Sequence, residues 1–299
     1  MAKPNSGESK ATLPTGIKIA YETFGKVSSE PLLLIHGLSW QMIMWDREFC
    51  ELLAGRGYFV IRFDNRDVGQ STVLDDTGIP DIIGLLTSIA RGEPVSVPYL
   101  LTDMAGDVFG LLDHLGIESA HVMGMSMGGM IGQTMALEKP ERIRSLTSLS
   151  STTGDPSLPP PTQEALAVIT IPPPAERSAF VSHFLATWRT LNGSRFPVDE
   201  ERVTEYARQS FDRGFSTGGV ARQIAAINAS GSRRTSLRSL VTPLLVIHGD
   251  ADPLLPVQCG IDTAEAVAGS KLNIIEGMGH TLPAQVWRDI VDAVAAHAK

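Results

Sequence analysis

The chain has 299 residues, 43% of them hydrophobic and 19% charged, with a formal net charge of −8. That balance excludes a disordered or fibrous chain and leaves enough apolar side chain for a sizeable core. The negative charge speaks against sequence-independent binding to nucleic acid or to an anionic membrane, both of which need a basic surface.

Residues 1–12 are polar and lack the apolar stretch of a signal peptide, and no later segment approaches an uninterrupted membrane span. A soluble, cytoplasmic protein is expected. Residues 17–24 alternate as a strand does, and 31–35 is a continuous apolar run closing on His36-Gly37. Helical spacing follows over 42–56, with Trp45, Phe49, Leu52 and Leu53 on one face, and 58–63 is a further buried-strand run. Strand, helix and strand in that order predict a parallel sheet. The polar loop 64–71 follows, then an irregular stretch, 75–98, with an apolar helix at 82–90 that is expected to lean on the ligand opening.

A second amphipathic helix spans 99–115 and stops at Gly116, a strand follows at 120–125, and 129–139 reads as a helix ended by Pro140. Strands are predicted at 143–149, 243–247 and 271–275, and a closing amphipathic helix at 283–297. Between them, 151–240 differs in character: Pro156, Pro159 to Pro161 and Pro172 to Pro174 punctuate it, and helices are expected at 179–190 and 199–211. The organisation is therefore one α/β core, 1–150 with 241–299, carrying a helical cap, 151–240, over the C-terminal ends of the strands where open sheets bind ligands.

The chemistry concentrates in Gly124-Met125-Ser126-Met127-Gly128, a serine on a sharp turn between strand and helix. A serine hydroxyl becomes a useful nucleophile when the backbone presents it and a base takes its proton, and flanking glycines leave room for the bend. The base must be an imidazole oriented by a carboxylate. Of seven histidines, His114, His121, His183 and His297 fall in helices, at the start of a strand or in the insertion, and His36 and His248 precede glycine turns. His280, just past the last strand, is the expected base. Asp252, directly after strand 243–247, is the expected acid; Asp250, two residues away, is its rival, and either can instead be a turn aspartate bonded to its own backbone. Negative charge on a carbonyl oxygen needs preorganised donors. These are expected from the backbone N–H of Met127, at a helix N-terminus, and of Leu38, after His36-Gly37.

No H-E-x-x-H, G-x-G-x-x-G or Walker loop occurs, so no metal or other cofactor is expected. Cys50 and Cys259 are far apart and read as buried thiols. Met123, Met125, Met127, Met130 and Met135, with Trp40 and Trp45, line either an apolar pocket or, more in keeping with how methionine fills interiors, the core. Arg66 and Asp67 are expected to brace their loop.

Taken together, His36-Gly37, the 64–71 loop, 124–129, 249–253 and Gly277-Met-Gly-His-Thr-Leu-Pro283 make the chain resemble the α/β-hydrolase superfamily, whose triad runs in the order Ser126, Asp252, His280. Within it, 64–71 and 277–283 look most like the aclacinomycin methylesterase branch, whose members cleave a methyl ester from a polycyclic polyketide. The resemblance implies an α/β-hydrolase fold, a serine carboxylesterase without cofactor, and a small-molecule ester as its partner. A single glycine after His36, where hormone-sensitive-lipase-like esterases carry several, disfavours esters of bulky tertiary alcohols. Serine at 126 disfavours the aspartate chemistry of haloalkane dehalogenases and epoxide hydrolases. Lactone opening, carbon–carbon bond hydrolysis and perhydrolysis remain open to the same triad, as does a ligand receptor built on the same scaffold.

Overall fold

The computed structural model describes residues 7–298, so residues 1–6 of the polar start, and Lys299, lie outside the described residues. Eight strands among the described residues form one sheet: β1 (Ser9–Thr12), β2 (Lys18–Phe24), β3 (Glu30–Ile35), β4 (Tyr58–Phe63), β5 (Ala120–Met125), β6 (Ile143–Leu149), β7 (Leu244–Gly249) and β8 (Lys271–Ile275). Their order is β1-β2-β4-β3-β5-β6-β7-β8. β2 pairs antiparallel with β1 and β4, and every other neighbouring pair is parallel. The helices are α1 (Arg47–Gly55), α2 (Ile82–Ala90), α3 (Leu101–His114), α4 (Met127–Glu138), α5 (Gln163–Thr170), α6 (Arg177–Leu191), α7 (Glu200–Arg213), α8 (Thr217–Ser230), α9 (Arg234–Leu237), α10 (Val257–Ala266) and α11 (Trp287–His297).

The sheet is covered on both faces, so β3, β4, β5 and β7 are largely apolar runs, while the inner strand β6 carries serine and threonine. β4 and β5 are buried throughout. Along β3, Leu33 and Ile35 enter the core beneath α3 and α4, while Leu32 and Leu34 enter the core beneath α1 and α11, as the two-residue period of a strand requires. Phe49 and Leu53 of α1 are fully buried in the second core, each contributing roughly 1.5–3 kcal/mol by removal from water.

Several expectations need correction. The helix read over 42–56 breaks at Trp45 and Asp46; Asp46 accepts the Glu48 N–H at 2.7 Å and starts α1 as its N-cap. The run 271–275 is the sheet's edge, not a buried strand, and Leu272 and Ile274 remain exposed. β1, α5, α8, α9 and α10 have no counterpart among the elements read from the sequence. α2 lies where expected but packs on α8, leaving Ile83 and Leu86 exposed.

Helices α5 to α9 occupy the chain between β6 and β7. Phe180 of α6 meets Phe211 at 5.4 Å and Phe215 at 4.9 Å between ring centroids, and Trp188 stacks on Trp40 at 5.0 Å. The segment is tied down by polar contacts as well. Arg222 of α8 forks onto Asp67 at 2.9 and 2.7 Å with both side chains essentially inaccessible. Gln41 donates to the carbonyls of Ser210 and Gly214. Arg66 in turn forks onto Asp107 of α3, so Arg66 and Asp67 brace their loop as read from the sequence.

Candidate active site

β3 and β5 are neighbours in the sheet, with Ile35 opposite Gly124, although β4 separates them in sequence. The strand order reverses between them, and the chain leaves their C-terminal ends in opposite directions, which opens the crevice typical of such sheets. Ser126 stands at that point. Its φ of 56° is left-handed, a conformation that costs a non-glycine residue about 1–3 kcal/mol and persists where surrounding bonds over-determine it. Here Ser126 N–H donates to Leu149 O at 2.9 Å, and Ser126 O accepts from Gly129 N–H at 2.9 Å and from the Ser151 hydroxyl at 2.7 Å. The glycines are demanded by contact: a Cβ at Gly124 would lie 2.1 Å from Gly128 O, and one at Gly128 would lie 2.0 Å from Ile35 O.

His280 Nε2 lies 2.9 Å from Ser126 Oγ, and His280 Nδ1 lies 2.7 Å from Asp252 Oδ2. A carboxylate only accepts, so Nδ1 carries the proton and Nε2 accepts the serine hydroxyl. Asp252 Oδ1 takes the N–H groups of Leu254 at 2.9 Å and Leu255 at 2.8 Å, which fixes the carboxylate plane. Asp250 is engaged differently, accepting from Gly277 N–H. Behind Asp252, the fully buried His248 donates from Nε2 to Leu255 O at 2.7 Å and closes the loop that carries Asp252; burial lowers its pKa against the opposing pull of Asp252, keeping the ring neutral. The histidine loop is held from the insertion, where His280 N–H donates to Leu191 O at 2.6 Å, Gly279 N–H to Asn192 O at 3.1 Å, and the Thr281 hydroxyl to Asn192 Oδ1 at 2.8 Å.

The turn after β3 presses on Ser126, for a Cβ at Gly37 would lie 3.0 Å from Ser126 Cβ. Buried His36 accepts the Gly37 N–H on Nδ1 at 2.7 Å and stacks on Trp40 at 5.3 Å. Burial, aided by His280, lowers its pKa to about 3, so the ring stays neutral. Neither Leu38 nor Met127 donates its N–H to a protein acceptor among the described residues. The five methionines around the elbow and Trp45 are buried, whereas Trp40 is half-buried against Trp188, Leu191 and Leu254. Both cysteines are buried free thiols. No group of three or more acidic, histidine or cysteine side chains among the described residues is arranged to hold a metal.

Sequence reasoning passed over His248, Asn192, Thr281 and Gln223. For Gln223 a faint signal existed, a polar residue on the stripe Gly219, Gln223, Ala226 that α8 buries. Thr281 lies inside the 277–283 run and His248 at the head of the 249–253 turn, but their partners, Asn192 Oδ1 and Leu255 O, are set by the fold and not by any local pattern.

A model of the alpha/beta hydrolase fold matches residues 30–284. The chain is 32% identical to rhodomycin D methylesterase of Streptomyces peucetius over 93% of its own length and 94% of that protein's. It is also 26% identical to 3-oxoadipate enol-lactonase 2 of Acinetobacter baylyi, over 93% of each. Among solved structures it resembles a hydrolase from Pseudomonas aeruginosa PA01, with a TM-score of 0.73, 26% identity, and coverage of 98% of this chain and 99% of that one. The methylesterase likeness read from 64–71 and 277–283 thus extends along almost the whole chain. Sheet order, elbow and sequence similarity agree, and the chain belongs to the α/β-hydrolase family.

Proposed function

We propose that the protein is a serine carboxylic ester hydrolase acting on small to medium, largely apolar esters. The observation that carries this reading is the continuous hydrogen-bonded line from Ser126 through His280 to Asp252, at 2.9 and 2.7 Å, at the C-terminal edge of the sheet. Ser126 Oγ attacks the ester carbonyl as His280 Nε2 takes its proton, and Asp252 stabilises the imidazolium. The carbonyl electron pair collects on oxygen, where the unpaired N–H groups of Leu38 and Met127 receive it; each such donor is worth about 3 kcal/mol. On collapse the alkoxide leaves with the proton from His280. Water, deprotonated by His280, then attacks the acyl-enzyme, and Ser126 is regenerated as the acid departs.

Residues 151–240 act in this reading as a helical cap on the core formed by 1–150 and 241–299, with Trp40, Trp188 and Leu254 giving the opening an apolar wall. No helix among the described residues is long and apolar enough to cross a membrane, and we place the protein in the cytoplasm. Lactone opening is the second reading, favoured by similarity to an enol-lactonase over 93% of the chain; it uses the same steps with the alcohol retained on the acyl group.

The test is a panel of p-nitrophenyl esters of graded acyl length, run beside Ser126→Ala. Hydrolysis that disappears in the variant supports the esterase and sizes its acyl pocket. Full activity in Ser126→Ala would refute it, and a lactone turned over in preference to every open ester would favour the second reading.

A further inference from the structure

The turn carrying Leu38 has its neighbouring donors occupied. Gly37 N–H donates to His36 Nδ1 at 2.7 Å, and Ser39 N–H donates to Gln223 Oε1 at 2.8 Å. Gln223 belongs to α8 of the insertion, 184 residues away, and its side chain is fully buried. Its other end donates from Nε2 to Arg66 O at 2.9 Å. One amide therefore joins the loop after β3 to the loop after β4.

α8 cannot easily drift from this position. Arg222, the preceding residue, is forked onto Asp67, which also accepts from Tyr99 Oη and Leu74 N–H, each at 2.7 Å. Gly219 lies so close to the same loop that a Cβ there would sit 2.4 Å from Asp67 O. The turn, by contrast, is strained: Ser39 is a non-glycine residue at φ 60°, a backbone state that persists only under external restraint. Two of the peptide groups flanking Leu38 are thus fixed by side chains, and its own N–H is the donor left unclaimed.

We propose that Gln223 is a positioning residue for this turn, holding the Leu38 N–H aimed at the space beside Ser126; the inference rests on the serine-hydrolase reading above. The insertion then does more than cover the opening, since it contributes a strut to the anion-stabilising backbone. Removing the strut leaves substrate binding in place and weakens stabilisation of the charge that develops in the tetrahedral state.

Gln223→Met fills the same space without either hydrogen bond. Because loss of an entire oxyanion donor costs roughly 10²–10³ in rate, a misdirected one is expected to lower kcat by roughly 10- to 100-fold, with KM nearly unchanged. A second readout is the rate of labelling by an alkyl fluorophosphonate, in which Ser126 Oγ bonds to phosphorus, fluoride leaves and the hydroxyl proton passes to His280. That rate is expected to fall in parallel, with melting recorded on the same samples. Wild-type kcat and labelling in Gln223→Met overturn the inference, as does a loss of kcat that vanishes when the assay is cooled well below the variant's melting temperature. Wild-type protein that resists the phosphonate and keeps activity as Ser126→Ala overturns instead the underlying reading. Should Gln223→Met fail to fold, Gln223→Glu, which retains the acceptor for Ser39 N–H, decides the question: it must keep more labelling rate than Gln223→Leu at equal melting temperature, and equal rates refute the role.

Discussion

Replacing Asp252 by asparagine is a sharp perturbation because the structure dictates which way the new amide faces. Two backbone donors, Leu254 N–H and Leu255 N–H, point at Oδ1 from 2.9 and 2.8 Å. The amide oxygen must stay there, since an NH2 group would meet two N–H groups and leave all of them unsatisfied at a buried site. The NH2 is therefore turned toward His280 Nδ1, now at the position of Oδ2, 2.7 Å away. Nδ1 then has to accept, the ring proton moves to Nε2, and Nε2 can no longer take the proton of Ser126. A wrong tautomer of this kind costs about 10⁴ in kcat, or ~5.4 kcal/mol of barrier. Steady-state kinetics on a p-nitrophenyl ester, with KM and thermal unfolding alongside, is the assay. Asp250→Asn is the companion, because Asp250 serves Gly277 N–H and its replacement is expected to leave kcat within a few-fold of wild type. Asp252→Asn retaining more than about a tenth of kcat, or Asp250→Asn losing as much as Asp252→Asn, would refute the assignment of the acid.

Arg222→Met leaves Asp67 buried with only Tyr99 and Leu74 as donors; breaking a buried pair costs ~3 kcal/mol at the low end, a fall in melting temperature of roughly 5 °C for a chain of this size. Adding Asp67→Asn is expected to recover part of that loss in a double-mutant cycle, and strictly additive losses would show that the pair is not coupled. His36 gains a proton near pH 6.5 when unfolded but only near about 3 when folded, so the unfolded chain binds more protons across that window. Stability held above pH 6.5 is lost as the pH falls, by up to about 1.4 kcal/mol per pH unit; denaturant titrations from pH 7 to 4 are expected to show a shallower slope for His36→Gln, and parallel slopes would contradict it. Burial pushes the Cys50 thiol up to about 12 and leaves Cys259 buried and raised as well, so native protein at pH 8 is expected to resist a chromogenic disulfide reagent that modifies both thiols once denatured.

Much of the core is written locally. β4, β5, β6 and α2 coincide with their sequence-read limits; β4 and β5, buried at every position, are largely apolar runs, and each strand ends at a polar or glycine turn. The elbow is local only in part: Gly124 answers to Gly128 O four residues on, whereas Gly128 answers to Ile35 O at the end of β3, a contact the fold supplies. β1 and the edge character of β8 escaped because an edge is defined by having a neighbour on one side only, and periodicity does not record neighbours.

Chain order pointed to Ser126, an aspartate of the loop after β7 and His280, because the three follow the strands β5, β7 and β8 in a fixed succession. It left Asp250 and Asp252 as rivals. Only the tertiary structure separates them, by giving one carboxylate to Gly277 and the other to His280. Likewise only the fold brings Gln223 to Ser39 and Leu191 to His280, across 184 and 89 residues respectively. Burial pattern and turn chemistry are short-range and survive in the sequence as composition and spacing. A hydrogen bond between two loops depends on where the intervening helices set them down, and that is decided by packing of the whole chain.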